Sequence, residues 1–359
     1  MRFSTPQKLL FSGFLAVAML LASQMQAQNL TLEGQTGGFL TPTAYVVYAE
    51  KGQFFSHPAI GVHYINASKV IGNIETLSIT ESFASRAEAG YTRSFHQFGD
   101  SGSGSASALV VPGGFSQLWN SNGMNIFHGK VVAIKDDADG WRPGLAVGGL
   151  VRTGDKFVTG QAAILATEAN NDYCYLTGAY LLGLCNPLVP VPTAKAYTNG
   201  DVYVAVTKTW AKKPVPFLAN FGWKATNATI FGIGGQSTRF GGRLFGGLGI
   251  PLPLGHGIVA VPSMGFTQEP GSSKGLGAAS YTSLPLAAGK ADIPTTLDYA
   301  VRVTQRERPH FAFDIGIGAV ASNIGSAPTF TFPSGALSGL APVDLQAKKV
   351  LGMGLSYRY

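Results

Sequence analysis

The sequence predicts an all-β fold: a transmembrane, antiparallel up-and-down β-barrel of about twelve strands, with ten to sixteen tolerable, carrying long extracellular loops and short periplasmic turns. Three observations lead there. Runs of about ten residues with apolar side chains at every second position recur along the chain. The N-terminus reads as an export signal. Beyond it, no stretch of 18 or more apolar residues is present from which a membrane-crossing helix could form.

The signal comes first in the chain. Arg2 and Lys8 make a positive start, and residues 9–22 form an apolar stretch of about fourteen residues, too short for a spanning helix. Met25-Gln26-Ala27 places a small residue where signal peptidase cuts, so the expected organisation is a signal peptide over 1–27 and a mature barrel over 28–359. The barrel's first part, about 28–50, is expected as a short periplasmic segment. There is no Cys at the junction to carry a lipid anchor. The expected location is the outer membrane, reached through the inner membrane.

Composition narrows the function classes. Charged residues are 13% of the chain against 45% hydrophobic, with 47 glycines, low in charge for a water-soluble domain. Without Arg2 and Lys8 the formal net charge of +7 becomes +5, and the surplus is scattered rather than clustered, which excludes a nucleic-acid footprint. Cys174 and Cys185 sit in a loop-like segment of an exported chain and read as a loop disulfide. The six histidines, at 57, 63, 96, 128, 256 and 310, show no metal-ligand spacing, so neither metal nor cofactor is expected.

The strands follow from period-two alternation. Leu351, Met353, Leu355, Tyr357 and Tyr359 fall on one face, with Gly352, Gly354, Ser356 and Arg358 on the other. Phe311, Phe313, Ile315 and Ile317 alternate with Ala312, Asp314, Gly316 and Gly318, and Tyr299, Val301 and Val303 with Ala300, Arg302 and Thr304. Further hairpins are read at 244–250 with 257–267, at 202–206 with 217–224, and at 127–134 with 145–152, after three strands over 60–67, 74–83 and 87–95. Arg93 shares a face with Tyr91 and Phe95, which means either that the strand reaches the membrane interface there or that the register slips by one. The stretches 99–125, 154–200, 268–295 and 323–345 would be structureless inserts in a compact domain but are natural extracellular loops in a barrel. Trp119, Trp141, Trp210 and Trp223 fit an interfacial aromatic girdle, with core filling as the other reading.

A terminal strand ending on an aromatic resembles the recognition signal that bacterial outer-membrane barrels present to their assembly machinery, which assigns that role to Leu351, Met353, Leu355, Tyr357 and Tyr359. Near the mature start, Gly34-Gln35-Thr36-Gly37-Gly38-Phe39-Leu40-Thr41-Pro42-Thr43-Ala44 resembles the Gly-x-x-x-Thr-Pro-Thr-Ala opening of the YjbH-like barrel proteins, a group associated with exopolysaccharide production. The lipid-attachment Cys frequent in that group is absent. Read without the resemblance, Gly37, Gly38 and Pro42 turn the chain into its first strand. Gly232-Ile233-Gly234-Gly235 lacks the lysine of a phosphate-binding loop. Asn120-Ser121-Asn122-Gly123 partly resembles the Ser-Asn-Gly segment of outer-membrane phospholipase, but Trp119 stands where that enzyme has its His, and a Ser without a base is a weak nucleophile. No catalytic residue is expected.

The leading functional reading is a porin-like or transport channel for small hydrophilic solutes, with Arg86, Glu88, Lys224, Arg302, Asp314 and Arg358 facing the lumen and a mild preference for anions. The alternative is a non-conducting barrel that supports exopolysaccharide export or envelope structure. A secreted β-sandwich and a hydrolase stand behind these. Expected partners are outer-membrane lipid and lipopolysaccharide, the barrel-assembly machinery, and polysaccharide or small anionic solutes.

Overall fold

The computed structural model describes residues 29–67, 72–97, 122–138, 140–154, 171–184, 198–210, 216–228, 232, 236–268, 270, 295–305, 311–320 and 350–358. Residues 1–28, on which the export signal is read, lie outside these, as do Trp119, Ser121, Cys185 and Tyr359.

Alternation becomes architecture strand by strand. In chain order these are β1 (Ala59–Ala67), β2 (Gly72–Phe83), β3 (Ala87–Gln97), β4 (Asn122–Ile134), β5 (Gly144–Gly154), β6 (Thr198–Trp210), β7 (Phe217–Ala228), β8 (Gln236–Gly249), β9 (Leu252–Gly255), β10 (Ile258–Thr267), β11 (Thr296–Gln305), β12 (Phe311–Val320) and β13 (Val350–Arg358). Each long strand pairs antiparallel with its neighbours, and the sheet closes because β13 pairs with both β12 and β1, in register Ala59↔Arg358 to Asn66↔Leu351. β9 is a four-residue continuation of β8 past Pro251 and pairs only with β10, so the barrel wall has twelve strands. Closure leaves the wall without a free edge, which a sheet in hydrocarbon requires.

The side chains sort by parity as expected. On β13, Leu351, Met353, Leu355 and Tyr357 are exposed while Gly352, Gly354, Ser356 and Arg358 are buried. Around the ring the exposed outward face carries Val62, Leu77, Phe127, Val151, Val202, Phe221, Leu248, Met264 and Tyr299. A continuous apolar belt of this kind is stable against lipid, not water. The connections between strands also divide. β2 and β3, β4 and β5, β6 and β7, β8 and β10, and β11 and β12 are joined at one end, with the start of β1 and the end of β13; β1 and β2, β3 and β4, β5 and β6, β7 and β8, β10 and β11, and β12 and β13 are joined at the other. We call these the short-turn and long-loop ends.

Arg93 settles its register question. Thr92, Ser94 and His96 are buried in the interior, so Arg93 faces outward with Tyr91 and Phe95. It lies near the long-loop end of β3, bonded to Asn125 Oδ1 at 3.1 Å, which Tyr91 also donates to, with its guanidinium 5.3 Å from the Phe95 ring. That is how an arginine is held at a membrane boundary. Among the tryptophans, Trp210 ends β6 and stacks on Phe217, and Trp141 is exposed in the 135–143 turn; Trp223, however, faces out midway along β7, so it belongs to the belt rather than to a girdle. Cys174 is buried and disulfide-bonded.

Candidate functional site: the occupied lumen

Residues 29–49, expected on the periplasmic side of the barrel, run inside it. Leu30, Thr31, Leu32, Gln35, Thr36, Ala44 and Val47 are each at most 2% exposed. The segment folds into two tight reversals. Thr31 N donates to Gln35 O and Gly34 N to Thr31 O, with Gly34 at φ +87°, a left-handed turn position that glycine occupies without strain. Gly38 N then donates to Thr41 O, Leu32 N to Phe39 O and Thr43 N to Thr36 O. The chain then leaves the short-turn end, where Ser56 N bonds Ser82 O and leads into β1.

The wall holds this segment at three levels. Towards the short-turn end, Ser82 Oγ donates to Val47 O (2.6 Å), Arg358 Nη1 to Tyr48 O (3.1 Å), and Leu30 N to Ser356 Oγ (3.4 Å). Tyr45 Oη donates to Asp136 Oδ2 (2.7 Å) and lies 2.6 Å from Thr209 Oγ1, while Lys208 Nζ bonds the other oxygen of Asp136 (2.7 Å). Burial holds the Tyr45 phenol above its ordinary range, so it remains a neutral hydrogen-bonding group.

Midway, the peptide groups of the segment find partners one by one. Thr36 donates twice to the Glu88 carboxylate, from N (3.0 Å) and Oγ1 (2.6 Å). Lys130 Nζ lies 2.9 Å from Glu88 Oε1 and donates to Thr36 O and Thr43 O, each at 3.0 Å, with neither side chain of the pair reaching solvent. Thr80 Oγ1 donates to Gly34 O, Thr92 Oγ1 to Glu33 O, Asn220 Nδ2 to Pro42 O, Ala44 N to Thr207 Oγ1, and Arg302 to Gly37 O. An irregular segment can be buried only if its backbone is paired in this way.

Towards the long-loop end, Arg152 Nε donates to Glu33 Oε1 (2.5 Å) and its terminal nitrogens to Asp201 (2.8 and 3.2 Å) and Asn199 (3.3 Å), all buried. Around this ion cluster, Leu32, Phe39 and Leu40 pack with the inward-facing Ile65, Ile74, Met124, Ile126, Leu150 and Ala300. Apolar side chains thus share the lumen with the ion cluster at this level. Inward glycines make room for large lumen side chains: a Cβ on Gly352 would come 2.5 Å from the Phe39 ring, and one on Gly222 would run into Phe245, which packs edge-on against Tyr203. Between segment and wall, Glu33, Gln35, Asp201, Tyr203, Lys224 and Phe245 border a cavity of about 20 Å³, room for about one water. Gln35 Nε2 and Tyr203 Oη, both on residues that border it, have no hydrogen-bond partner among the described residues.

Of the six residues expected to face the lumen, Glu88, Lys224, Arg302 and Arg358 are on inward-facing positions. Three of them hold the buried segment or its partner rather than line open water. Arg86 does not join them: it is exposed on the β2–β3 turn and bonds Val132 O and Ala133 O, because the strand has ended before its position. Asp314 pairs in register with Arg302, which places it on the same face of the wall. Lys130, Arg152, Asp201, Tyr203 and Phe245 were not singled out from sequence. Each shares the parity of an inward neighbour, which is the signal that would have found them.

The fold and its interior define a transmembrane β-barrel that holds its own N-terminal segment in its lumen. No family model and no curated protein matches the chain. Among solved structures it is similar to a KdgM porin in complex with disordered oligogalacturonate (7% identity, covering 84% of this chain and 99% of that one, TM-score 0.40). It is also similar to LpxR from Salmonella typhimurium (11%, 84% and 100%, 0.42) and to the translocator domain of the autotransporter NalP from Neisseria meningitidis (9%, 84% and 89%, 0.35). No function follows from likenesses at this level, and the resemblance of residues 34–44 to the YjbH-like opening rests on those residues alone.

Proposed function

We propose that the chain is an outer-membrane transport barrel whose resting state is closed, with residues 29–49 as its plug, the short-turn end in the periplasm and the long-loop end outside. The observation that carries this reading is the pairing of the plug. Beside the apolar cluster of Leu32, Phe39 and Leu40, it is held by wall side chains through separate hydrogen bonds and one ion cluster, with a seam that can admit water. Such contacts can be exchanged for water when the plug moves. With the plug withdrawn, the inward charges Lys130, Arg152, Lys224, Arg243, Arg302 and Arg358 outnumber Glu88, Asp201, Asp298 and Asp314, so the path would favour small anionic solutes.

A second reading is a barrel that never conducts and serves exopolysaccharide export or envelope structure. It is favoured by one observation: the segment that resembles the YjbH-like opening is the plug itself. Single-channel recording separates the two. The refolded full chain is expected to insert silently, and a chain lacking residues 29–49 to give stable steps with anion preference. Steady conductance of the full chain refutes the closed resting state; silence of both, with a heat-modifiable barrel, leaves the structural reading.

A further inference from the structure

The β5–β6 connection carries a short apolar element at the long-loop end that the barrel does not use. Residues 171–176 form a helical turn and Ala179–Leu182 a 3-10 helix, bounded by Gly178 and Gly183, both left-handed. Cys174 is buried and disulfide-bonded. The Tyr175 and Tyr180 rings stack 6.1 Å apart at 4°. Yet Tyr173, Tyr175, Leu176, Leu181, Leu182 and Leu184 are all exposed, and no residue of the 3-10 helix is buried. Asp172 is the only charged residue between 171 and 184.

We propose that this element is a membrane foot, which seats its leucines and tyrosines in the outer leaflet beside the barrel. Three features favour lipid as the occupant. The element has no cation to attract an acidic protein face or a headgroup, while leucine with tyrosine is the composition that partitions at a membrane boundary. Its arms, residues 155–170 and 185–197, join the barrel wall at Gly154 and Thr198, next to the lipid-facing Val151 and Val202. The shorter arm can span at most ~45 Å at the length of an extended chain, enough to bring the element down onto the leaflet. Lipid is thus the nearest apolar surface, continuous with the one the barrel already occupies. The inference rests on the reading of the barrel as lipid-embedded.

The test places a photoreactive benzophenone side chain at Leu181 of the full chain in outer-membrane vesicles, with Val151 as a lipid-facing reference and Lys51, exposed near the short-turn end, as a water-facing one. Lipid adducts at Leu181 are expected within about threefold of Val151 and well above Lys51. Replacing Leu176 and Leu182 by Ser should cut the Leu181 yield several-fold while the barrel stays heat-modifiable. A Leu181 yield at the Lys51 level, or an adduct to a second copy of the chain or to another protein, overturns the foot while leaving the barrel standing. Absence of lipid adducts at Val151 overturns the embedded barrel and the foot together.

Discussion

Replacing Glu33 by Gln should loosen the plug without unfolding the wall. Glu33 is the plug's only contribution to the ion cluster at Arg152, whose guanidinium also binds Asp201, with the members no more than about 8% exposed in their side chains. Removing Glu33 costs Arg152 one charge-assisted hydrogen bond, ~1.5–3 kcal/mol, while Asp201 still balances the guanidinium charge. Gln keeps the shape and one neutral hydrogen bond from Arg152 Nε, which returns ~1 kcal/mol. Asp201 stays with Arg152, so the penalty falls on plug docking and amounts to ~0.5–2 kcal/mol, or roughly 2- to 30-fold in the docking equilibrium. The assay is the open probability of refolded protein in a planar bilayer, with Lys51→Gln, an exposed charge change, as control. Glu33→Gln should show openings roughly 2- to 30-fold more often than the native chain, and Lys51→Gln should match the native chain. An open probability unchanged in Glu33→Gln, with the barrel's heat-modifiability intact, would refute the idea that this cluster locks the plug.

Three further outcomes are expected. Gly222→Val forces a side chain into the Phe245 ring and should destabilise the barrel by ~1–3 kcal/mol, read as a lower urea midpoint in lipid vesicles; an unchanged midpoint would mean that the Tyr203–Phe245 packing is loose. Val204→Arg puts a charge in the outward belt between Val147 and Trp223, costing ~2–4 kcal/mol in a bilayer, and a cost near zero would argue that this face meets water. Deleting Tyr359 should slow assembly in cells, read as unfolded chain accumulating in the periplasm, yet leave refolding into detergent unchanged; equal effects on both would remove the assembly-signal role of the last strand.

The wall was legible because its information is local. Each strand announces itself by alternation over about ten residues, and the turn-and-loop rhythm gave a strand number that the closed register bears out. Legibility faded where the lumen is apolar or glycine-lined. β4 begins at Asn122, not at 127, because inward Met124 and Ile126 erase the polar half of the pattern, and β8 begins at Gln236, not at 244, because Gly241 and Gly242 interrupt the pattern before Leu244. The plug is a different case. Its partners are distant, 119 residues for Glu33 with Arg152 and 178 for Pro42 with Asn220, and its backbone has no period to read. What the sequence does show over 28–50 is an apolar run, Ala44-Tyr45-Val46-Val47-Tyr48, that would be poorly placed in the periplasm.

The central claim, that the lumen is closed by residues 29–49 and opens when they move, is tested most directly by tethering the plug. Ala44 Cβ lies 3.4 Å from where a Cβ on Gly144 would be, close to the separation a disulfide spans. Single-channel recording of Glu33→Gln carrying Ala44→Cys and Gly144→Cys should show steps under reducing conditions that vanish when the pair is oxidised and return on reduction. Steps of the same size and frequency with the crosslink formed would mean that ions pass beside a fixed plug, and the account of this barrel as closed would be contradicted.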